Sequence, residues 1–334
     1  MAEPMDCSRR ELISCGLRAA CLGLVPAGVL RAADVRFAAD PFSLGVASGY
    51  PQVDAVVLWT RLAPQPLAPR AGMPAARVAV DWEVADDERF RRLRRSGTAY
   101  ARPERGHSVH VEVQGLEPGR EYWYRFISGG IESPVGRTRT AAVAGAADLR
   151  IGVASCQHYE SGFYAAYAAM ARDDLDLIVP VGAYIYETRG VARVRAHAEP
   201  ECRTLNDYRR RYALYKLDPL LQAAHASCPW MVTWDDHEVD NDYAADRSED
   251  GDADGRFLAR RAAAYQAYFE HQPLPRRMAP RGPHQRLYAR QAFGDLAEIY
   301  LLDGRQYRSR QVCGDGLVSP CAALYDEQRT MLGR

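Results

Sequence analysis

The chain has 334 residues, 47% of them hydrophobic, with 43 basic and 43 acidic side chains and a formal net charge of zero. That length accommodates two domains with a sizeable core and, at this apolar content, excludes both a disordered and a membrane-embedded chain. The balanced charge excludes the basic footprint of a nucleic-acid-binding protein, and Lys216 as the sole lysine reads as an arginine-biased genome.

Residues 1–33 read as a twin-arginine signal peptide. Ser8-Arg9-Arg10 precedes a moderately apolar segment from Leu12 to Val29 that is interrupted by Arg18 and is too weak to span a bilayer. Such a leader addresses a folded protein to the twin-arginine translocase. Cleavage fits either Val25-Pro26-Ala27 or Leu30-Arg31-Ala32. Cys7, Cys15 and Cys21 would leave with the leader, and Cys156, Cys202, Cys228, Cys313 and Cys321 would remain. In an exported protein these allow two disulfides and one odd thiol. Cys313 with Cys321 is the expected pair and Cys156 the expected free thiol; the full connectivity stays open.

Residues 38–142 read as all-β. Ala55–Leu62, Ala76–Val84 and Val109–Val113 alternate or run apolar and β-branched. Leu116-Glu117-Pro118-Gly119 then leads into Tyr122-Trp123-Tyr124-Arg125-Phe126. A turn followed by Tyr-x-Tyr-x-Phe resembles the tyrosine corner of a fibronectin type III or immunoglobulin-like β-sandwich. Residues 141–147 are small and read as a linker.

From Leu149 strands alternate with helices, the pattern of an α/β domain over residues 149–334. Tyr164, Tyr167 and Met170 share a helical face and read as packing. Asn206 is placed to cap a helix, Asp218-Pro219 to start the next, and Arg256–Phe269 to form another. Leu287–Phe293 and Ala297–Leu302 read as a hairpin turning at Gly294-Asp295.

Chemistry gathers where strand-like runs end. Leu149–Ala154 delivers Ser155-Cys156-Gln157. Leu175–Val181 ends at Gly182 and presents Tyr184, Tyr186 and Glu187. Trp230–Trp234 delivers Asp235, Asp236, His237 and Glu238. Polar groups beyond the C-terminal ends of buried strands are where α/β folds place ligands. Adjacent carboxylates cannot both be buried without a cation or an arginine, so a metal site and a solvated acidic loop both remain open. A thiolate and a phenolate suit ferric iron, and carboxylates suit calcium or magnesium. Cys156 and Tyr186 taken singly are equally compatible with packing.

These strings together resemble the PhoD-like alkaline phosphatase family of the calcineurin-like metallophosphoesterases. The resemblance covers the leader, the β-sandwich, Ser155-Cys156-Gln157, Asp174–Leu177, Tyr184–Glu187, Leu205–Lys216, Trp234–Val239, and Leu302-Asp303 with Arg305 and Tyr307-Arg308. It implies a β-sandwich followed by a four-layer α/β/β/α metallophosphoesterase domain. It implies hydrolysis of phosphomonoesters or phosphodiesters outside the cytoplasm, periplasmic or extracellular, with iron and calcium; the chain itself is read as a monomer. Cys156 and Tyr186 would be iron ligands, and Asp236 a ligand to the second metal. His237 would contact the substrate phosphate. Asp235 and Arg305 would lie in the surrounding shell, with Asp235 also a candidate metal ligand.

The sequence departs from the family pattern at three places. Ala183 stands where the family has the Asp that bridges the two metals, and Pro180 where it usually has His. The third is the end at Arg334, where the family continues into a Gly-Asp-x-His region. Paired metals sit ~3.5–4 Å apart and repel each other, and an anionic bridge offsets that. The sequence therefore leads us to expect a truncated, impaired or inactive relative. The alternatives are a non-catalytic phosphate-ester or metal-binding relative and a β-sandwich interaction protein.

Overall fold

A computed structural model describes residues 29–30, 35–145, 148–249, 255–313 and 321–333. Apart from the two-residue strand Val29–Leu30, the leader lies outside the described residues.

The strands in chain order are β1 Val29–Leu30, β2 Val46–Gly49, β3 Ala55–Arg61, β4 Arg77–Ala85, β5 Leu93–Ala101, β6 Ser108–Gln114, β7 Glu121–Ser128, β8 Ile131–Glu132, β9 Gly136–Arg139, β10 Ile151–Ala154, β11 Leu177–Pro180, β12 Pro229–Trp230, β13 Ala289–Phe293 and β14 Ala297–Leu301. The helices are α1 Ala165–Met170, α2 Leu205–Lys216, α3 Pro219–Ser227 and α4 Gly255–His271. One sheet joins β1, β4, β7 and β8, with β5 on β4 and β9 on β7; β13 and β14 form a separate hairpin. The other large sheet runs β10-β11-β12-β2-β3-β6.

That second sheet crosses from one half of the chain to the other. β10, β11, β12 and β2 are parallel neighbours, and β2, β3 and β6 continue it antiparallel. Trp230 pairs with Ile178 on one side and Gly49 on the other. The segment read as a linker is also anchored. Ala141 is buried and its N–H bonds Gln52 O, while Ala142 O accepts Gly294 N–H.

Period-two burial makes β7 readable, because Tyr122, Tyr124, Phe126 and Ser128 point inward in strict alternation. Tyr122, Tyr124 and Phe126 share a core with Val46, Leu58, Val80 and Val111 between the two sheets. Tyr122 Oη accepts the N–H of Glu117 at 2.8 Å. A second core gathers Ile178, Tyr184, Tyr212, Trp230 and Tyr268 around the parallel strands.

Several local expectations are corrected. The cap of α2 is Thr204, not Asn206: Thr204 and Asp207 form a reciprocal capping box, and Asn206 lies within the helix. Asp218 does cap α3, with Pro219 in its first turn. The run Trp230–Trp234 is ladder-paired only as Pro229–Trp230, with one bridge from Thr233 to Val181. Cys313 and Cys321 are bonded, but Cys202 and Cys228 are free thiols alongside Cys156, so there is no second disulfide among the described residues.

Candidate metal and phosphate site

The C-terminal ends of β10, β11 and β12 converge as parallel neighbours must. After β10, the N–H groups of Cys156 and Gln157 bond the carbonyls of Gly182 and Ala183, at 3.2 and 3.1 Å. Gly182 has φ +105°, and a Cβ there would lie 2.5 Å from Asp235 N and Cβ. Only glycine permits both that backbone and that approach.

A buried carboxylate clasps the loops together. Glu238 Oε1 accepts Tyr184 N–H at 2.5 Å, and its Oε2 accepts Ala183 N–H at 3.2 Å and Asp235 N–H at 2.9 Å. Burial pushes its carboxyl up to about 7 despite these bonds. The sequence reading placed Glu238 in the strand-end cluster but gave it no role. A glutamate three residues beyond Asp235, in a segment that turns back on itself, was the available signal.

His237 is held from behind. Its Nδ1 is 2.8 Å from Glu187 Oε2, and Glu187 Oε1 accepts Asn241 N–H at 2.8 Å. Burial lowers the imidazole, but the fully buried Glu187 carboxylate more than reverses this and raises it above its ordinary value. A proton on Nδ1 leaves Nε2 as the atom able to meet a ligand. The ring packs on Tyr186, 4.1 Å between centroids. The Cys156 side chain neighbours Tyr186, and burial, with that neighbour second, pushes the phenol up.

The acidic residues face a guanidinium. Arg305 Nε is 2.5 Å from Asp235, and its Nη2 and Nη1 are each 3.5 Å from Asp236 and Asp242. Asp236 also accepts Asp242 N–H at 2.9 Å. Burial raises the Asp236 carboxyl, but that bond and Arg305 outweigh it and hold it below the usual range. Arg305 is positioned by Asp303, whose Oδ1 accepts the N–H groups of Arg305 and Gln306 and the indole N–H of Trp234.

The predicted residues thus fall into two sets. Tyr186 packs on His237 with Cys156 beside it, and Asp235, Asp236 and Arg305 form an ion cluster. The residues present do not fit a metal pair. Ala183 contributes no oxygen, the two aspartates are engaged by Arg305, and no three His, Cys, Asp or Glu side chains among the described residues converge as a metal site would require. Cys156 with Tyr186 supplies two donors.

Comparison with known proteins identifies the family. The family model for PhoD-like phosphatase matches residues 151–334, and that for the PhoD-like phosphatase N-terminal domain matches residues 28–142. The chain is 50% identical over 306 residues to alkaline phosphatase D of Bacillus subtilis (strain 168), covering 89% of this chain and 52% of that protein. A solved structure of PhoD superposes with a TM-score of 0.87 at 49% identity, covering 90% of this chain and 59% of that one. The chain therefore spans a little over half the length of the proteins it matches. Two family models, one sequence match and one structural match agree: the chain belongs to the PhoD-like phosphatase family.

Proposed function

We propose that this chain derives from an exported, metal-dependent phosphoester hydrolase and that its metal centre is impaired. Family membership supports the hydrolase reading. One observation carries the impairment: Ala183, buried at the end of β11, leaves the loop between Cys156 and Glu238 without a carboxylate. Iron at Cys156 and Tyr186, and calcium at the aspartates, belong to the proposal as the family's expected cofactors. His237 keeps its role, because an imidazole raised by Glu187 can donate from Nε2 to a phosphate oxygen. The substrate would be a small phosphomonoester or phosphodiester.

A second reading has its own support. Arg305 already stands against Asp235, Asp236 and Asp242 where a cation would otherwise sit, which suits a relative that keeps the fold and does not turn over. The four-layer domain, the fibronectin-like character of residues 38–142, the domain limits, the monomeric state and periplasmic or extracellular export complete the proposal. The pairing of Val29–Leu30 with Arg77 and Val78 favours cleavage after Ala27, which keeps that strand.

The test is iron and calcium content together with aryl-phosphate hydrolysis at alkaline pH. This chain is compared with an Ala183→Asp version that carries the C-terminal portion of the Bacillus subtilis relative. We expect substoichiometric metal and background turnover from the first, and both restored in the second. Stoichiometric iron with turnover in the unaltered chain would refute the impairment.

A further inference from the structure

A cavity of about 750 Å³ opens between β5, β6 and the segment that follows α4, within the roughly 300–1,000 Å³ typical of small-molecule sites. None of its lining residues belongs to the strand-end cluster. Three are arginines, Arg102, Arg105 and Arg276, against a single carboxylate, Glu112. That carboxylate is already engaged, since its Oε1 accepts Arg276 N–H at 2.6 Å. Arg102 and Arg105 have no ion-pair partner among the described residues. The wall therefore carries excess positive charge aimed at a concavity.

The remaining wall is aromatic and pre-set. Trp82 pairs directly with Gly97 across β4 and β5, and a Cβ at Gly97 would lie 2.8 Å from the indole Cζ2. The indole thus lies flat over the neighbouring strand because position 97 has no side chain. In the other ring pair His110 stacks on Phe269 at 4.4 Å, and its Nε2 is fixed 3.0 Å from both Phe269 O and Gln272 O. The Arg105 guanidinium stands 5.8 Å from the Phe269 ring centroid. Flat rings beside unpaired guanidiniums suit a ligand that joins a planar ring to an anion, the ring by stacking and the anion by charge-assisted hydrogen bonds.

We propose that this cavity binds a nucleoside phosphate, its base on Trp82 and its phosphates on Arg102 and Arg105. The proposal is independent of the reading of the strand-end site. The test is calorimetric titration of the full chain with α,β-methylene-ADP, which resists hydrolysis, and with adenosine and inorganic phosphate separately. We expect the nucleotide to bind at least tenfold more tightly than either part. Arg102→Gln with Arg105→Gln should weaken it at least tenfold, Trp82→Leu should weaken it several-fold, and His237→Ala should leave it unchanged. Arg102 is exposed and Arg105 half-buried, so thermal melts should find the double variant as stable as the parent, and it decides the case if Trp82→Leu fails to fold. The proposal is overturned by no binding at millimolar nucleotide, by phosphate matching the nucleotide, by full affinity in the double variant, or by loss of binding in His237→Ala, which would place the ligand at the strand-end site.

Discussion

Glu238→Gln tests whether one carboxylate clasps the loops after β11 and β12. The side chain is 1% exposed and accepts three backbone N–H groups, from Ala183, Tyr184 and Asp235. Glutamine preserves the shape but turns one acceptor into a donor. The less costly flip places the amide nitrogen against Tyr184 N–H and keeps the bonds to Ala183 and Asp235. It still leaves a buried donor unsatisfied, at ~1–3 kcal/mol, and faces it with a second donor. A loss of about 2–4 kcal/mol follows where the native carboxyl is protonated, because a protonated carboxyl retains acceptor lone pairs on both oxygens. Burial raises the folded pKa to about 7 from 4.5. Glu238's contribution is therefore fully present below pH 4.5 and is lost as pH rises through 7. The linkage amounts to about 3 kcal/mol at high pH, which glutamine does not suffer. The variant should be markedly less stable than the parent at pH 5 and within about 1 kcal/mol of it at pH 9. Urea melts at pH 5, 7 and 9 measure this. A penalty independent of pH, or one below about 0.5 kcal/mol at pH 5, refutes the clasp.

Other perturbations have equally definite outcomes. Gly182→Ala should destabilise by more than about 3 kcal/mol, from left-handed strain plus the overlap with Asp235, and urea melts that differ by under 1 kcal/mol would contradict the close approach. Arg305→Met should cost about 1–3 kcal/mol, since it strands Asp235, Asp236 and Asp242 without their guanidinium; stability equal to the parent in low salt would show the cluster is solvated. Stability should also fall in mild acid. Burial lowers the His110 imidazole to about 4 from 6.5, so its contribution is complete above pH 6.5 and is lost as pH falls toward 4, about 3 kcal/mol in all. His110→Gln should flatten that part of the pH–stability curve, and an unchanged slope would show that His110 is not the group being protonated.

How much of this was legible in the sequence depends on whether the signal was local. β7 was readable because its alternation is strict and both its faces have distinct fates. The gathering of polar residues after β10 and β11 was readable because a buried parallel strand must release polar residues at its end. β5 was missed: Leu93–Ala101 reads as polar and basic, and its strand state comes from pairing with β4 rather than from its own pattern. The sheet continuing from β12 to β2 was also invisible, since it joins Trp230 to Gly49 across 181 positions of chain. Glu238 was placed in the strand-end cluster but its clasping role was not legible, because its partners are backbone N–H groups, which leave no trace in residue identity. Arg305 was legible only by resemblance; its grip on three carboxylates depends on Asp303 turning the chain after β14.

Position 183 brings these threads together. Ala183 has φ +50°, a left-handed conformation that costs an L-residue roughly 1–2 kcal/mol and that aspartate tolerates better than most. Such strain persists only where the surroundings impose it. Here Glu238 holds the N–H groups of Ala183 and Tyr184, and Gln157 holds the Ala183 carbonyl. The backbone thus keeps a geometry suited to a side chain it lacks. Ala183→Asp should improve the local backbone fit yet place a carboxylate where Ala183 is 2% exposed. Without a cation that burial should destabilise the chain by about 2–4 kcal/mol. A cation that binds the folded state then recovers stability by mass action, about 2.7 kcal/mol at one hundred times its dissociation constant. Thermal melts of the variant with chelator, with calcium and with iron separate the two effects, and the parent serves as the control for cation binding elsewhere. A variant as stable as the parent in chelator and indifferent to both metals would mean that position 183 faces no metal-binding space, and the account of impairment would fail with it.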